Sequence, residues 1–431
     1  MEFIFKADEL GILFATLFAS MFVLVGIAAS EYMEHEGGSK RFYAFFIPTG
    51  VALVLVCLAG NFFTYYVLFE FVTFLSMPMV LHSRSHEAIM AALKYLFYSV
   101  AGAFLTIFGF FLFLSEGYDL AFVPGGSLGN IVLSSRELLA VFLMIIGFGT
   151  KAGMFPMHGW LPTAHPVAPA PASAVLSGVI TKIGVLGIIR SIFYVVGPDN
   201  IRGTWVQYAF IVLTIITVFM GSMMAYMEKV LKKRMAYSTV SQVSYILFGL
   251  SLLNPIAFIG AVMHVIFHSL VKDTLFLSAG AIIMKTGKTK VGELDYIGQR
   301  MPVTMWCFTL VSITLIGIPP TSAFVSKWYL GVGAFNSAIP VVRWLGPCTL
   351  LISALLTAGY LLTISLRAFF GNTKDGAGND LLIEKEASEE SLEPGIRMLL
   401  PIILLTIMAI LFGIWPGPLM NIITLVSTTL F

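Results

Sequence analysis

One glutamate and four lysines sit inside otherwise apolar stretches of this 431-residue chain. Glu70 lies in FFTYYVLFEFVTFLSMPMV, Lys151 in VFLMIIGFGTKAGMF and Lys182 in ASAVLSGVITKIGVLGII. Lys272 lies in MHVIFHSLVKDTLFLSAG, and Lys327 follows a proline pair in IGIPPTSAFVSKWYL. A Lys or Asp at a bilayer centre costs about 2.5–3.5 kcal/mol even on lenient insertion scales, so such groups persist where they have a partner or a task. Five of them on separate helices spell a path for charge through a membrane.

Two readings of Glu70 stand open: a lone acid satisfied by a Ser or Thr of a neighbouring helix, or a partner for Lys151. A buried Glu–Lys pair gains Coulomb energy and loses solvation, so it is poor cement and a good switch. Lys151 precedes a segment holding Pro156, Pro162, Pro166, Pro169 and Pro171. Proline breaks a helix, which at membrane depth is tolerated only against protein or a wet cavity. A half-helix ending there would turn partial negative charge toward Lys151; a Pro-rich external loop accounts for residues 162–171 but not for the lysine.

Lys182 is central in its span, about 15 Å from either surface of a 30 Å core, too deep to reach water by snorkelling. His264, His268 and Lys272 recur every fourth residue and share one slowly drifting helical stripe. Two histidines four apart suit a metal, yet HVIFH lacks the zincin Glu and a third ligand. A proton relay fits better, because imidazole both donates and accepts near neutral pH. Asp273 is turned about 100° from Lys272 and need not be its partner. Thr321, Ser322 and Ser326 beside Lys327 are placed to satisfy backbone freed at Pro319–Pro320.

The elements that must position these groups are membrane helices. Hydrophobic residues make up 58% of the chain and charged residues 11%, against about 25% charged in a soluble domain. Apolar stretches of helical length predict twelve spans: 10–30, 42–60, 62–81, 93–114, 137–157, 172–195, 205–227, 235–252, 255–284, a broken 303–338, 344–370 and 398–425. MEFIFKADE is acidic where a signal peptide would be basic, so 10–30 is expected to stay as a helix. Two Pro-interrupted spans point to inverted five-helix repeats over 42–195 and 205–370. They are flanked by an N-terminal helix and loop (1–41) and by an acidic loop and last helix (371–431).

One set of loops carries Lys40, Arg41, Arg84, Lys229, Lys232, Lys233, Arg234, Lys285, Lys288, Lys290, Arg300, Lys374, Lys385 and Arg397; the other carries Lys6, Arg136, Arg202 and Arg343. The positive-inside rule then puts both termini outside a multi-pass protein of the cell (inner) membrane. A net charge of +2 suggests no nucleic-acid partner. Cys57, Cys307 and Cys348 are isolated, and neither a Walker A loop nor a G-x-G-x-x-G fingerprint is present. No cofactor or metal is expected, so an ion gradient or a neighbouring protein must supply the energy.

The run from Lys151 through MFPMHGWLPTAHPVAPAPASAVLSGVITKIGVLGIIR resembles the antiporter-like subunits of respiratory complex I, as do HVIFHSLVKDTLFLSAGAI and IPPTSAFVSKWYL. Mrp-type cation/proton antiporters and subunits of membrane-bound hydrogenases and related reductases share that family. The resemblance covers essentially the whole chain. It implies a hydrated row of Glu70, Lys151, Lys182, His264, His268, Lys272 and Lys327, with other membrane subunits and a peripheral redox module as partners and no independent catalysis. The usual member has fourteen spans, so this chain is expected to begin at the third. It is also expected to lack the long lateral helix of the most distal complex I member. The expectation is a proton-translocating subunit. A Na⁺ or Na⁺/H⁺ carrier of the same family and a non-conducting structural anchor are the alternatives.

Overall fold

The computed structural model describes residues 2–371 and 391–431. Most of the predicted acidic loop, including Asp375, Asp380, Glu384, Glu386, Glu389 and Glu390, lies outside the described residues, as do Lys374 and Lys385. Among the described residues the regular structure is helical, with three isolated β-bridges.

In chain order the helices are α1 Glu9–Glu36, α2 Ser39–Cys57, α3 Phe62–Val80, α4 His86–Ser115, α5 Ser135–Ala152, α6 Leu161–Val167 and α7 Ala170–Val196. They continue as α8 Trp205–Met227, α9 Leu231–Ser251, α10 Pro255–Thr286, α11 Pro302–Ile316, α12 Ser322–Phe335, α13 Pro340–Phe370, α14 Ile396–Ile414 and α15 Gly417–Leu430. Local chemistry sets their ends. Ser134 and Glu137 form a capping box on α5, and Gly153, at φ 80°, terminates it. Asn254 caps α10, Pro255 opens its first turn, and Gly287 ends it.

Three helices form the core: α9, buried at every position but Lys233 and Tyr237, with α7 and α10. The membrane-length window of α7 is wholly buried, and α10 is buried without interruption from Ala257 to Ile282. A helix with apolar side chains on every face belongs inside; α10 has them around its few ionisable groups and packs on α1, α7, α9, α11, α12, α14 and α15. The outer helices turn large apolar side chains outward, such as Phe97, Phe104 and Phe108 on α4. Exposed apolar surface on that scale faces lipid rather than water.

Nine described helices are long and apolar enough to cross a membrane, and α11 and α15 are shorter apolar helices. Length and hydropathy thus account for nine of the twelve predicted spans and leave 137–157, 235–252 and the broken 303–338 uncounted. The strongly polar turns of α5 and α9 keep both helices out of the nine. The predicted final span 398–425 is two helices, interrupted at Trp415–Pro416 because proline cannot continue the hydrogen-bond ladder. The two predicted breaks are present, between α5 and α6 and between α11 and α12. Residues 161–167 form a short helix with Leu161, Pro162, Ala164 and His165 buried, rather than an external loop.

Candidate ion pathway

Lys151 sits in the last turn of α5, where the helix dipole favours a cation. It is fully enclosed, and its Nζ donates to three hydroxyls: Thr73 Oγ1 (2.8 Å) on α3, and Tyr95 OH (2.8 Å) and Ser99 Oγ (3.2 Å) on α4. The ammonium also lies 4.6 Å from the Tyr95 ring centroid. Trp160 stacks against Tyr95 and donates its indole N–H to Thr150 O at 2.8 Å, tying the break to the lysine's own helix. The carbonyls at the end of α5 are thus taken by Trp160 and by the turn, and the lysine is solvated by hydroxyls.

Glu70 is half-buried, its Oε1 has no protein partner, and Lys151 is within its electrostatic reach. The two make no ion pair, whereas Asp8–Arg190, Asp199–Arg202, Glu228–Lys233, Asp295–Arg367 and Glu34–Arg397 do. Neither reading of Glu70 is met by a direct bond: three neutral oxygens occupy the three donor positions of Lys151, and no Ser or Thr among the described residues bonds Glu70 Oε1.

The densest array lies where α7 meets α10. Lys182 Nζ donates to Ser177 O at 2.5 Å and contacts His268 Nδ1 at 2.7 Å. Ser177 lies in a π-helical turn, Leu176–Ile180, whose wider spacing loosens the backbone ladder and frees carbonyls. The ring of His268 lies 6.1 Å from that of His264, whose Nδ1 meets Ser326 Oγ at 2.9 Å. Tyr245 stacks on His264 at 5.6 Å and has Lys327 Nζ 4.9 Å from its ring. Lys327, next to Ser326, donates to Leu315 O (2.6 Å) and Ile316 O (3.1 Å). Those are end carbonyls of α11, so the half-helix geometry expected at Lys151 is found at Lys327.

Lys272 departs from the predicted row. Its Nζ turns to Met235 O (3.1 Å) and Ser238 Oγ (2.7 Å), and Ser238 is bonded in turn by Tyr360 OH at 2.8 Å. The four-residue stripe is real along α10, but Lys272 forms a branch toward α9 and α13, and the line to Lys327 leaves through His264.

Five further ionisable groups among the described residues lie buried beside this row or close to it. Asp273 is fully buried, neither carboxylate oxygen has a protein partner, and it lies against Gly178 within electrostatic reach of Lys182. His165 in α6 is fully buried with both ring nitrogens unpartnered, stacked on Phe276 at 4.7 Å, and has Lys232, Lys272 and Lys182 as charged neighbours. Lys232, assigned to a loop, is buried and donates to Ala168 O at 2.7 Å, and Arg234 is likewise buried. Arg190 of α7 pairs with Asp8, the N-cap of α1, and has its guanidinium 4.3 Å from the Tyr194 ring. Burial alone would raise the Asp8 carboxyl, but Arg190 and the Gly11 N–H hold it below the ordinary carboxylate value.

Residues 59–365, which carry all of these groups except Asp8, match the family described as NADH:quinone oxidoreductase/Mrp antiporter, transmembrane. The chain belongs to this family. Within the antiporter-like family, NADH-quinone oxidoreductase subunit N of Desulforudis audaxviator is 32% identical over 407 residues, covering 90% of this chain and 77% of that protein. Hydrogenase-4 component B of Escherichia coli is 31% identical over 435 residues, covering 96% of this chain and 63% of the relative. The solved Mrp complex from a Dietzia species contains a chain that superposes with a TM-score of 0.83 at 21% identity, covering 97% of this chain and 83% of that one. The shared fold is thus an antiporter-like, integral multi-pass membrane protein.

Proposed function

We propose that the chain translocates protons as one subunit of a multi-subunit respiratory redox complex, along the buried groups running from Glu70 to Lys327. The observation that carries this reading is the α7–α10 array. Lys182 of α7, His268 and His264 of α10, and Ser326 and Lys327 of α12 follow one another through the interior, with direct contacts at Lys182–His268 and His264–Ser326 and 6.1 Å between the two imidazole rings. Ammonium and imidazole groups so arranged are proton donors and acceptors in series. Free polar atoms on His268, His264 and Asp273 make that interior a place for water, which buried polar groups without protein partners recruit.

In this reading protons arrive from the cytoplasm near Glu70 and Lys151. They cross to Lys182 through water, since no side chain bridges those two lysines, then pass His268 and His264 and leave beyond Lys327. Glu70 acts by approach: replacing one hydroxyl of the Lys151 cradle by its carboxylate changes the lysine's hold on its proton. Asp273 plays the matching part for Lys182. Moving a charge outward works against about 2.3 kcal/mol per 100 mV, which roughly a 50-fold change in proton affinity supplies. The inverted-repeat relation of 42–195 to 205–370, with a break in each unit, gives such a row two equivalent halves.

The partners are other membrane subunits and a peripheral redox module, and the location is the cell membrane with both termini outside. Relatives bearing oxidoreductase and hydrogenase names support the redox-complex context, and the positive-inside distribution of Lys and Arg supports the orientation. The test is proton pumping by the complex reconstituted in vesicles with Lys151→Ala or Lys182→Ala. Loss of pumping with assembly intact supports the proposal. Near-wild-type pumping in both variants removes it. Sodium dependence of the flux at fixed pH decides between H⁺ and Na⁺; the scarcity of buried carboxylates, the oxygen donors a hard cation favours, supports protons.

A further inference from the structure

We infer that the basic end of the second helical unit holds a site for the headgroup of an anionic phospholipid. A cavity of about 520 Å³ opens there, within the size range of ordinary ligand pockets, between the ends of α8, α9 and α13 and the segment 290–293. Four cations line it: Lys229, Arg234, Lys290 and Arg367.

The acids nearby offset them only in part. Glu293, the one acid in the wall, accepts from the backbone of Thr289 and Lys290 at 3.1 and 3.0 Å. Glu228 accepts from the backbone of Lys229 and Val230 and pairs with Lys233, which points elsewhere. Asp295 meets Arg367 only at 3.8 Å.

Arg234 supplies the built part. It is 92% buried, and its Nε and Nη1 are fixed by Glu228 O (2.7 Å), Tyr360 O (3.0 Å) and Thr363 Oγ1 (3.3 Å). These bonds leave Nη2 without a partner among the described residues, and it is not among their enclosed unpartnered atoms. A guanidinium gripped on one side and open on the other, with Arg367 as a charged neighbour, presents a rigid donor to an anion.

The rest of the wall says which anion. Tyr226 of α8 and Gly359 of α13 line the cavity, and Phe219, two turns from Tyr226 on α8, and Leu355, one turn from Gly359 on α13, are exposed apolar side chains that carry those two helix faces toward lipid. Gly359 keeps that junction open: a Cβ there would come within 2.9 Å of the Tyr226 ring. A cationic pocket joined to an apolar membrane groove fits a phosphate that carries acyl chains, and basic pockets between membrane helices bind such headgroups. Free phosphate would use the cations and ignore the groove.

The test uses the chain with its co-purifying subunits in phosphatidylcholine nanodiscs titrated with brominated phosphatidylglycerol. Tyr226→Trp reports on the site, read as the extra quenching over the unsubstituted chain. Lys229→Gln and Lys290→Gln, both on exposed side chains, are each expected to shift half-quenching about fivefold to higher lipid, and together about 25-fold. Arg343→Gln, outside the cavity, is expected to shift nothing. Unchanged half-quenching in the double variant overturns the site. Loss of quenching on adding millimolar inorganic phosphate overturns the lipid as its occupant.

Discussion

Lys182 and His268, each near the middle of a buried helix, meet at 2.7 Å across the α7–α10 interface. A lysine ammonium has only donors, so the contact fixes His268 Nδ1 as the acceptor while the lysine is charged and leaves Nε2 free to pass a proton onward. His268→Gln keeps an acceptor for Lys182 but has no titrating group. It is expected to lower proton flux in reconstituted vesicles at least tenfold with subunit assembly unchanged. Flux within twofold of wild type would place the relay elsewhere.

The charges were legible because a lysine in an apolar run is conspicuous wherever it points. Their partners were not. Glu70 was matched to Lys151 by charge, yet Thr73, Tyr95 and Ser99, inconspicuous in sequence, occupy the lysine's donors because α3 and α4 bring them there. Asp273 was set aside for facing away from Lys272, and that direction brings it against α7 and the Lys182 region. His165 was hidden among prolines that read as a loop. Helical period found the His264–His268–Lys272 stripe, while the turn of Lys272 toward Ser238 depends on where α9 packs. Helix ends were less legible: α1 runs on to Glu36 rather than 30, α4 begins at His86 rather than 93, α5 stops at Ala152 rather than 157, and the last span is interrupted at Pro416.

The hydroxyl cradle of Lys151 gives a graded series. Tyr95→Phe removes one bond to a charged donor, a contact worth about 1.5–3 kcal/mol, but leaves Thr73 and Ser99. The expected result is a several-fold fall in flux with an intact complex, deepening in Tyr95→Phe/Thr73→Val. Flux measurements paired with thermal unfolding separate the transport effect from simple loss of stability.

Lys327 has two roles that substitution can part. Its charge on Leu315 O and Ile316 O stabilises the end of α11, by up to about 2 kcal/mol in a partly buried geometry. Lys327→Gln should lower both the unfolding midpoint and proton flux. Lys327→Arg should restore most of the stability and little of the flux, because a guanidinium does not release its proton. Full flux in the Arg variant would reduce Lys327 to a helix cap.

The Asp8–Arg190 pair gives the pH prediction. Because the Asp8 carboxyl sits below its ordinary value in the fold, its stabilising contribution is complete above the unfolded value of about 3.9 and is lost as pH falls through the folded one. Stability from this source is therefore flat between pH 5 and 8 and declines only in stronger acid. Asp8→Asn leaves Arg190 buried without its counter-charge, which costs about 3–5 kcal/mol for a broken buried pair, and should flatten the acid limb. Unfolding midpoints across pH 3–8 for both proteins check the sign and the size.

The central claim, that buried lysines carry protons rather than merely filling the interior with charge, is met most directly by Lys182→Arg. Arginine keeps the positive charge and the donors but holds its proton at all working pH values. Proton flux into vesicles carrying the complex is the measurement, normalised to assembled complex. The account predicts at least a tenfold loss in Lys182→Arg with assembly preserved. Wild-type flux in that variant would contradict it.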